Sequence, residues 1–379
     1  MANTLGYYNP VFYAQEALIQ LEKALGMAAR VHRGYDEERR SFAKGEYINI
    51  RRPSAMVVAN APATAADLAT ESVQLQLAYW REVKFKLTDK ELAFTSSRII
   101  DDHIRPAAYA LADDIDQKLA ALYLKIPWYY NLSGTPVVAD ITGPRKLMFD
   151  NKVPLDDPAR SHFMISGAFE QALLGLSAFS QQQGAGDQGV NTQMRGSLGT
   201  KYGFEMFANQ NVQSHTGGVC ADAAGALTAD TAIGDLSIAI DAVTVDGTIK
   251  IGDVIKITGD SQWYVATADV TFAGGAGTIA TYPGQKQINL DNAVVDLIVG
   301  NKVENLMFHR NAFALAMAPL SEIGNELGAK IAAITDPTTG LSVRSRLYYV
   351  GDSSEVHVAL DVLYGVITLD PQLAVRGRE

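Results

Sequence analysis

The spacing of apolar residues changes several times along this chain, and each change predicts a different element. Val11, Ala14, Leu18, Leu21 and Leu25 recur every three or four residues, the stripe of an amphipathic helix. Asn9 is placed to cap that helix and Pro10 to open it. Tyr47 to Arg52 reads as a strand closed by Pro53. From Val73 to Leu87 the period drops to two: Val73, Leu75, Leu77, Tyr79, Val83, Phe85 and Leu87 share one face, broken only by Arg81. A single strand over that stretch would reach about 50 Å, far beyond the usual length. Paired with 47–52 it predicts a long ribbon, which needs another surface to cover its apolar face.

Helical spacing returns at Ile100, Ile104, Ala108, Leu111, Ile115, Leu119, Leu122 and Ile126, with Pro106 in an early turn and Pro127 at the end. Phe163, Phe169, Leu173, Leu176 and Phe179 predict a second helix over 161–183, and Phe308 to Leu320 a third. Alternation closes the chain at Val343–Tyr349, Val356–Val362 and Val366–Leu369. Between His215 and Asn301 the pattern is one of short strands punctuated by Gly and Asp: Leu236–Ile240, Val243–Val245, Ile249–Ile251, Val254–Ile257, Trp263–Val265, Val270–Phe272, Ile279, Ile288–Leu290 and Val294–Ile298. Many short strands at such spacing predict an all-β barrel or sandwich.

Composition sharpens that boundary. Residues 216–300 contain no Arg, Glu, His or Met, and their ten Asp against three Lys (Lys250, Lys256, Lys286) leave −7 of the chain's net −10 in this block. So abrupt a break, with ordinary sequence resuming after it, predicts a domain inserted into a host domain. The 379 residues suffice for two domains. No apolar run reaches the roughly 18 residues a membrane span requires, and the first residues lack the basic and apolar segments of a signal peptide. Cys220, alone, permits no internal disulfide and no cysteine-rich zinc site. The negative balance argues against a general nucleic-acid-binding surface.

The candidate chemistry is sparse. Gly184-Ala-Gly-Asp-Gln-Gly189 has dinucleotide-fingerprint spacing, yet it follows a Gln-rich helix end where the fingerprint needs a strand, and is read as a loop. Asp113, Asp114 and Asp116 put three carboxylates on one helix; they suit a divalent cation, but with no second acidic cluster a solvated face is preferred. Asp101-Asp102-His103 reads as capping and dipole compensation. His32, His103, His162, His215, His309 and His357 show no ligand spacing, and Cys220 reads as an incidental thiol. The pairs Gly234-Asp235, Asp246-Gly247, Gly252-Asp253 and Gly259-Asp260 read as turns rather than a calcium loop. No catalytic, cofactor or metal residue is assigned, and the chain is expected not to be an enzyme.

With the insert set aside, the order of elements resembles the major capsid proteins of tailed bacteriophages, the Hong Kong 97-type fold. Three stretches carry the resemblance. Gly196 to Gly218 looks like the approach to their axial domain, Asn305 to Leu320 is similar to their helix after a Phe-His turn, and Leu360 to Pro371 looks like their closing strand pair. Ile251 to Gly259 and Ile279 to Pro283 resemble the inserted β-barrel of short-tailed Salmonella phage coat proteins, in a shorter form. The resemblance implies an α+β fold with an N-terminal arm (1–35), an extended β-ribbon loop (36–90), a spine helix with peripheral and part of the axial domain (91–215), an inserted β-barrel domain (216–303) and the rest of the axial and peripheral domain (304–379). It implies assembly with copies of itself into hexamers and pentamers, scaffolding and portal proteins as partners, and double-stranded DNA enclosed without sequence-specific binding. The place would be the virion, after assembly in the host cytoplasm. The ribbon would then lie across a neighbouring subunit, and the helix at 9–25 would contact a neighbour or scaffold. The alternatives are a surface-displayed β-domain binding protein, a cellular compartment shell, and a metal enzyme built on Asp113, Asp114 and Asp116.

Overall fold

A computed structural model of the chain describes residues 10–33, 46–51, 60–61, 72–88, 103–134, 136–181, 187–220, 224–243, 247–322, 329–335 and 341–379. Two compact units emerge. The first joins Met1–Ile115 to Ala314–Leu369, and the second joins Asp116–Phe313 to Asp370–Glu379.

The first unit is built on a long antiparallel sheet. Strand β21 (Glu355–Thr368) lies at its centre, followed outward by β20 (Ser342–Val350) and β19 (Lys330–Thr335), with β18 (Phe313–Ala318) and β3 (Tyr79–Thr88) also on β21. Helix α1 (Pro10–Ala24) packs over β19 and β20. Most of its expected stripe is buried: Ala14, Leu18 and Leu21 face inward with Tyr13 and Ala17, whereas Val11 and Ile19 are exposed. The helix thus covers its own sheet with that face and leaves Val11 and Ile19 exposed. Asn9 lies outside the described residues.

The 73–87 stretch is not one strand. It breaks at Leu77 and Ala78 into β2 (Ser72–Gln76) and β3, and the halves join different partners. β2 pairs with β1 (Tyr47–Arg51), Tyr47 opposite Gln76. β3 pairs with β21, Thr88 opposite Glu355 and Tyr79 opposite Tyr364. Ile48, Ile50, Leu75 and Leu77 pack on Ala314, Ala316 and Ala318 of β18 and on Leu363 and Ile367 of β21. This portion of the ribbon finds within its own chain the surface that the sequence reading placed on a neighbour. Gly365 permits the crossing, because a Cβ there would collide with the Gln76 carbonyl.

Helix α2 (Arg105–Ala120) keeps Pro106 in its first turn, where no amide donor is required. It tightens into a 3-10 turn over Ala121–Lys125, before Pro127. In the first unit it buries Ile104, Ala108, Leu111 and Ile115. Asp114 accepts a 2.5 Å hydrogen bond from the Tyr364 hydroxyl and pairs with Arg81 Nε at 3.2 Å. On the opposite face of the sheet, the fully buried Asp361 accepts two hydrogen bonds from Arg344, at 3.0 and 2.5 Å, and one from Trp80 Nε1 at 3.1 Å. Arg346 stands 3.3 Å away.

The second unit holds a mixed sheet in the order β4 (Tyr129–Asn131), β22 (Ala374–Arg378), β17 (Lys302–His309), β5 (Ser161–Ile165), β7 (Phe204–Ala208) and β6 (Thr200–Lys201), with β8 (Gln213–His215) also on β17. Two expected helices are corrected. Ser161–Ile165 is a strand, and the helix α4 (Gly167–Leu174) starts only after Ser166, whose hydroxyl accepts from the Phe169 amide at 3.1 Å. The segment from Phe308 to Leu320 is not a helix: β17 runs into a 3-10 turn (Arg310–Ala312) and then β18. Every residue of β5 and β18 is buried. A run buried on both faces has no polar side, so periodicity cannot separate strand from helix. Helix α3 (Ala139–Asp150) closes the core of Phe163, Phe169, Phe204, Met307 and Val375 with Ile141 and Met148.

The acidic block folds as a closed antiparallel barrel in the order β10 (Ser237–Asp241), β15 (Gly277–Tyr282), β13 (Trp263–Ala266), β12 (Val254–Ile257), β16 (Val294–Ile298) and β9 (Ala224–Leu227). Its own core contains Ile238, Ile240, Ile255, Ile257, Tyr264, Ile279 and Leu297. Each such side chain contributes roughly 1.5–3 kcal/mol when fully buried. A small ladder, β11 (Thr248–Ile249) with β14 (Val270–Thr271), lies beside it. Ile288–Leu290 is not a strand, and β9 has no counterpart in the sequence reading.

Candidate functional site

The chain leaves the sheet and returns to it at one place. β8 pairs with the start of β17, His215 opposite Lys302, so exit and re-entry are adjacent antiparallel strands. Gly217 passes so close to Gly300 that a Cβ would overlap its backbone, and the Gly217 amide donates to Asn301 Oδ1 at 3.1 Å. The barrel is thus spliced into what would otherwise be a hairpin.

A buried charged seam fixes it there. Arg376 and Arg378 on β22, Glu304 on β17, His215 at the end of β8, and Asp253 on the barrel side are all buried. Arg376 donates to the Gly252 carbonyl at 3.0 Å. Arg378 donates to the Gly300 carbonyl at 3.2 Å. Between them, Glu304 Oε1 stands 3.0 Å from Arg378 Nε and 3.7 Å from Arg376 Nη1. The contact is ionic: neither Glu304 oxygen accepts a well-aligned hydrogen bond among the described residues. Burial pushes the Arg376 guanidinium down, Glu304 opposes that, and arginine remains charged.

Asp253 organises the barrel side. Its Oδ1 stands 2.9 Å from His215 Nε2, and its Oδ2 accepts from the amides of Gly218 (2.8 Å) and Lys250 (2.7 Å). His215 Nδ1 lies 3.0 Å from the Tyr123 hydroxyl, whose pKa is pushed up to about 12, first by burial and then by Glu304. Gly252 turns the chain here with φ +93°. Trp263 of β13 packs at 5.1 Å from both Trp128 and Tyr129. Arginine, glutamate, histidine and backbone carbonyls together anchor the insert; removing one partner of such a buried ion pair costs about 3–5 kcal/mol.

The residues singled out from sequence disperse. Asp114 serves Tyr364 and Arg81, while Asp116, expected on a solvated face, is buried and accepts from Asn209 at 3.4 Å. Among the described residues no three His, Cys, Asp or Glu gather as metal ligands. His162 meets Glu205 at 3.0 Å, His357 meets Glu355 at 3.3 Å, and His103 packs on Phe85. His309 accepts from the Asn311 amide at 3.3 Å, and its pKa is lowered by burial and then by Arg160. Cys220 forms no disulfide. Asp101, Asp102 and Gly184 to Gly186 lie outside the described residues, and a helix, Asp187–Arg195, follows the latter. Of the Gly-Asp turns, Asp235 accepts from the Ala232 amide, whereas Asp253 and Asp260 are buried hubs. Sequence reasoning missed Arg376, Arg378 and Glu304. The alternation of Ala374 to Arg378 was the available signal, and it gave no hint that the charged positions are buried.

No protein-family model and no curated protein matches the sequence. Solved structures do. One of Mycobacterium phage Che8 superposes with TM-score 0.53 and 14% identity, covering 93% of this chain and 90% of that one. The capsid of Ralstonia phage GP4 gives 0.47 and 10%, covering 93% and 88%. The capsid structure of Cyanophage P-SCSP1u gives 0.45 and 10%, covering 89% and 85%. The Che8 likeness carries the conclusion about fold: the chain has an α+β fold of the phage capsid type. No helix among the described residues is long and apolar enough to cross a membrane.

Proposed function

We propose that this chain is the major capsid protein of a tailed phage, self-assembling through hexamers and pentamers into an icosahedral shell around double-stranded DNA. The carrying observation is the capsid-type fold, matched over 93% of the chain. Charge supports the same reading. With −7 confined to the barrel, the rest of the chain is nearly neutral, as suits a wall that holds DNA without gripping it. In this reading the barrel, over 216–303, stabilises the subunit and meets neighbouring copies while facing away from the DNA; scaffolding and portal proteins are partners. The role is structural rather than catalytic.

The test is negative-stain microscopy of the purified chain, alone and co-expressed with its scaffold. Closed shells are the expected result. A chain that remains monodisperse and monomeric under every assembly condition would sink the reading.

A further inference from the structure

One surface of the barrel has its polarity inverted. Segments 230–236 and 281–291 run side by side, tied by Thr231 N to the Asn289 carbonyl (2.9 Å), Gly234 N to the Gln285 carbonyl (2.7 Å) and Thr281 N to the Leu236 carbonyl (2.7 Å). The side chains turned inward from this flap are polar. Asn289 Nδ2 donates to Asp260 Oδ2 and to Gln285 Oε1, each at 3.1 Å, and the Asn289 amide donates to Thr231 Oγ1 at 2.9 Å. Tyr264 completes the network with a 2.6 Å bond to Asp260. The side chains turned outward are aliphatic: Ile233, Leu236, Ile288 and Leu290 are each between 59% and 69% exposed. Folding that buries amides and leaves four branched aliphatics in water forgoes apolar burial at each of them. The arrangement is sensible when the outer face is covered in the assembled state, and the bonded layer beneath holds it ready.

The rim indicates what covers it. Exposed Asp230 and Asp291 and half-buried Asp235 surround the flap, against the one lysine, Lys286. Two flaps meeting face to face would oppose like charges. The second unit also carries a surface of opposite character. Tyr202, 39% exposed on the β6–β7 turn, is tied to α3 through Arg145, which donates to its carbonyl at 2.9 Å, and Phe149, 71% exposed, stands one helical turn on from Arg145. Lys146, Lys152 and Lys201 neighbour them in sequence, and Lys146 pairs with Asp150 at 3.6 Å.

We propose that the aliphatic, acid-rimmed flap of one copy docks on the aromatic, base-rimmed Phe149–Tyr202 surface of a second copy. The contact is head-to-tail, so it propagates from subunit to subunit and suits a ring or shell. It rests on the capsid reading. The test uses the full chain, followed by sedimentation velocity and negative-stain microscopy. Ile288→Asp and Phe149→Asp should each raise the concentration needed for particles about tenfold or more, leaving the monomer's circular dichroism and melting unchanged. Asp291→Lys and Lys146→Glu should each weaken assembly, and the two combined in one chain should restore part of it. Assembly of Ile288→Asp at the wild-type concentration overturns the contact and leaves the shell intact, as does a charge-swapped double variant worse than either single one. A wild type that associates without forming particles, with that association lost in Ile288→Asp, keeps the contact and sinks the shell. A wild type monomeric at every concentration sinks both.

Discussion

Two buried aspartates carry out the same task with different partners. Asp361, in the sheet of the first unit, is held by two arginines and a tryptophan. Asp253, at the root of the barrel, is held by a histidine and two backbone amides. The barrel sequence contains no Arg, and its buried carboxylates are satisfied by amides and uncharged side chains; Asp260 repeats the solution with Tyr264, Asn289 and the Gln262 amide. The sheet draws on residues far apart in sequence. The barrel combines one partner or two within a turn (Lys250 for Asp253; Gln262 and Tyr264 for Asp260) with others some thirty residues off in sequence. Where it meets the host, the arginines come from the host's last strand.

The contrast can be broken at either hub. Asp361→Ala strands Arg344 without its counter-charge and should cost about 3–5 kcal/mol in chemical denaturation. A loss below about 1 kcal/mol would mean that Arg344 finds another acceptor. Asp253→Ala leaves two amides and His215 unsatisfied and should cost about 2–3 kcal/mol, with hydrogen exchange rising first around Gly218 and Lys250. Equal exchange across both units would erase the distinction. Tyr264→Phe removes one donor from the barrel's inner network and should cost only about 1 kcal/mol.

Acidification adds a gentler probe outside both hubs. Burial and Arg160 hold His309 below its ordinary pKa, and its Nδ1 already accepts a hydrogen bond, so the folded state favours neutral imidazole. The unfolded chain takes up the proton at about pH 6.5. The stability His309 supplies is therefore complete above that pH and is lost as pH falls from there towards its lower folded pKa. Denaturation at pH 7.5 and 5.5 should show the wild type losing more stability than His309→Gln; identical losses would remove His309 as the source.

Much of the architecture was legible before the structure. The stripe from Ala14 to Leu25 faces inward as spaced, while Val11 at its start is exposed. The Gly-Asp punctuation at Gly252 and Gly259 coincides with positive φ, and the strands between them close into a barrel. The errors share a cause. Ser161–Ile165 and Phe313–Ala318 are buried on both faces, so they carry no wet side to reveal a period. The 73–87 alternation was real, but where the strand breaks depends on two surfaces contributed by residues nearly three hundred positions away.

The sequence by itself determined which faces avoid water, where the chain turns, and that an acidic, Arg-free module interrupts a host of ordinary composition. Those properties are local, set by side-chain spacing and backbone preference. Only the tertiary structure decided that Arg376, Arg378 and Glu304 lie buried beneath the insert, and that Ile288 and Leu290 face outward above a polar layer. A charge can be buried only when a distant partner arrives to compensate it, and an aliphatic stays exposed only where neighbouring chain supplies no cover. Both are properties of pairs of segments, which no single window of sequence contains.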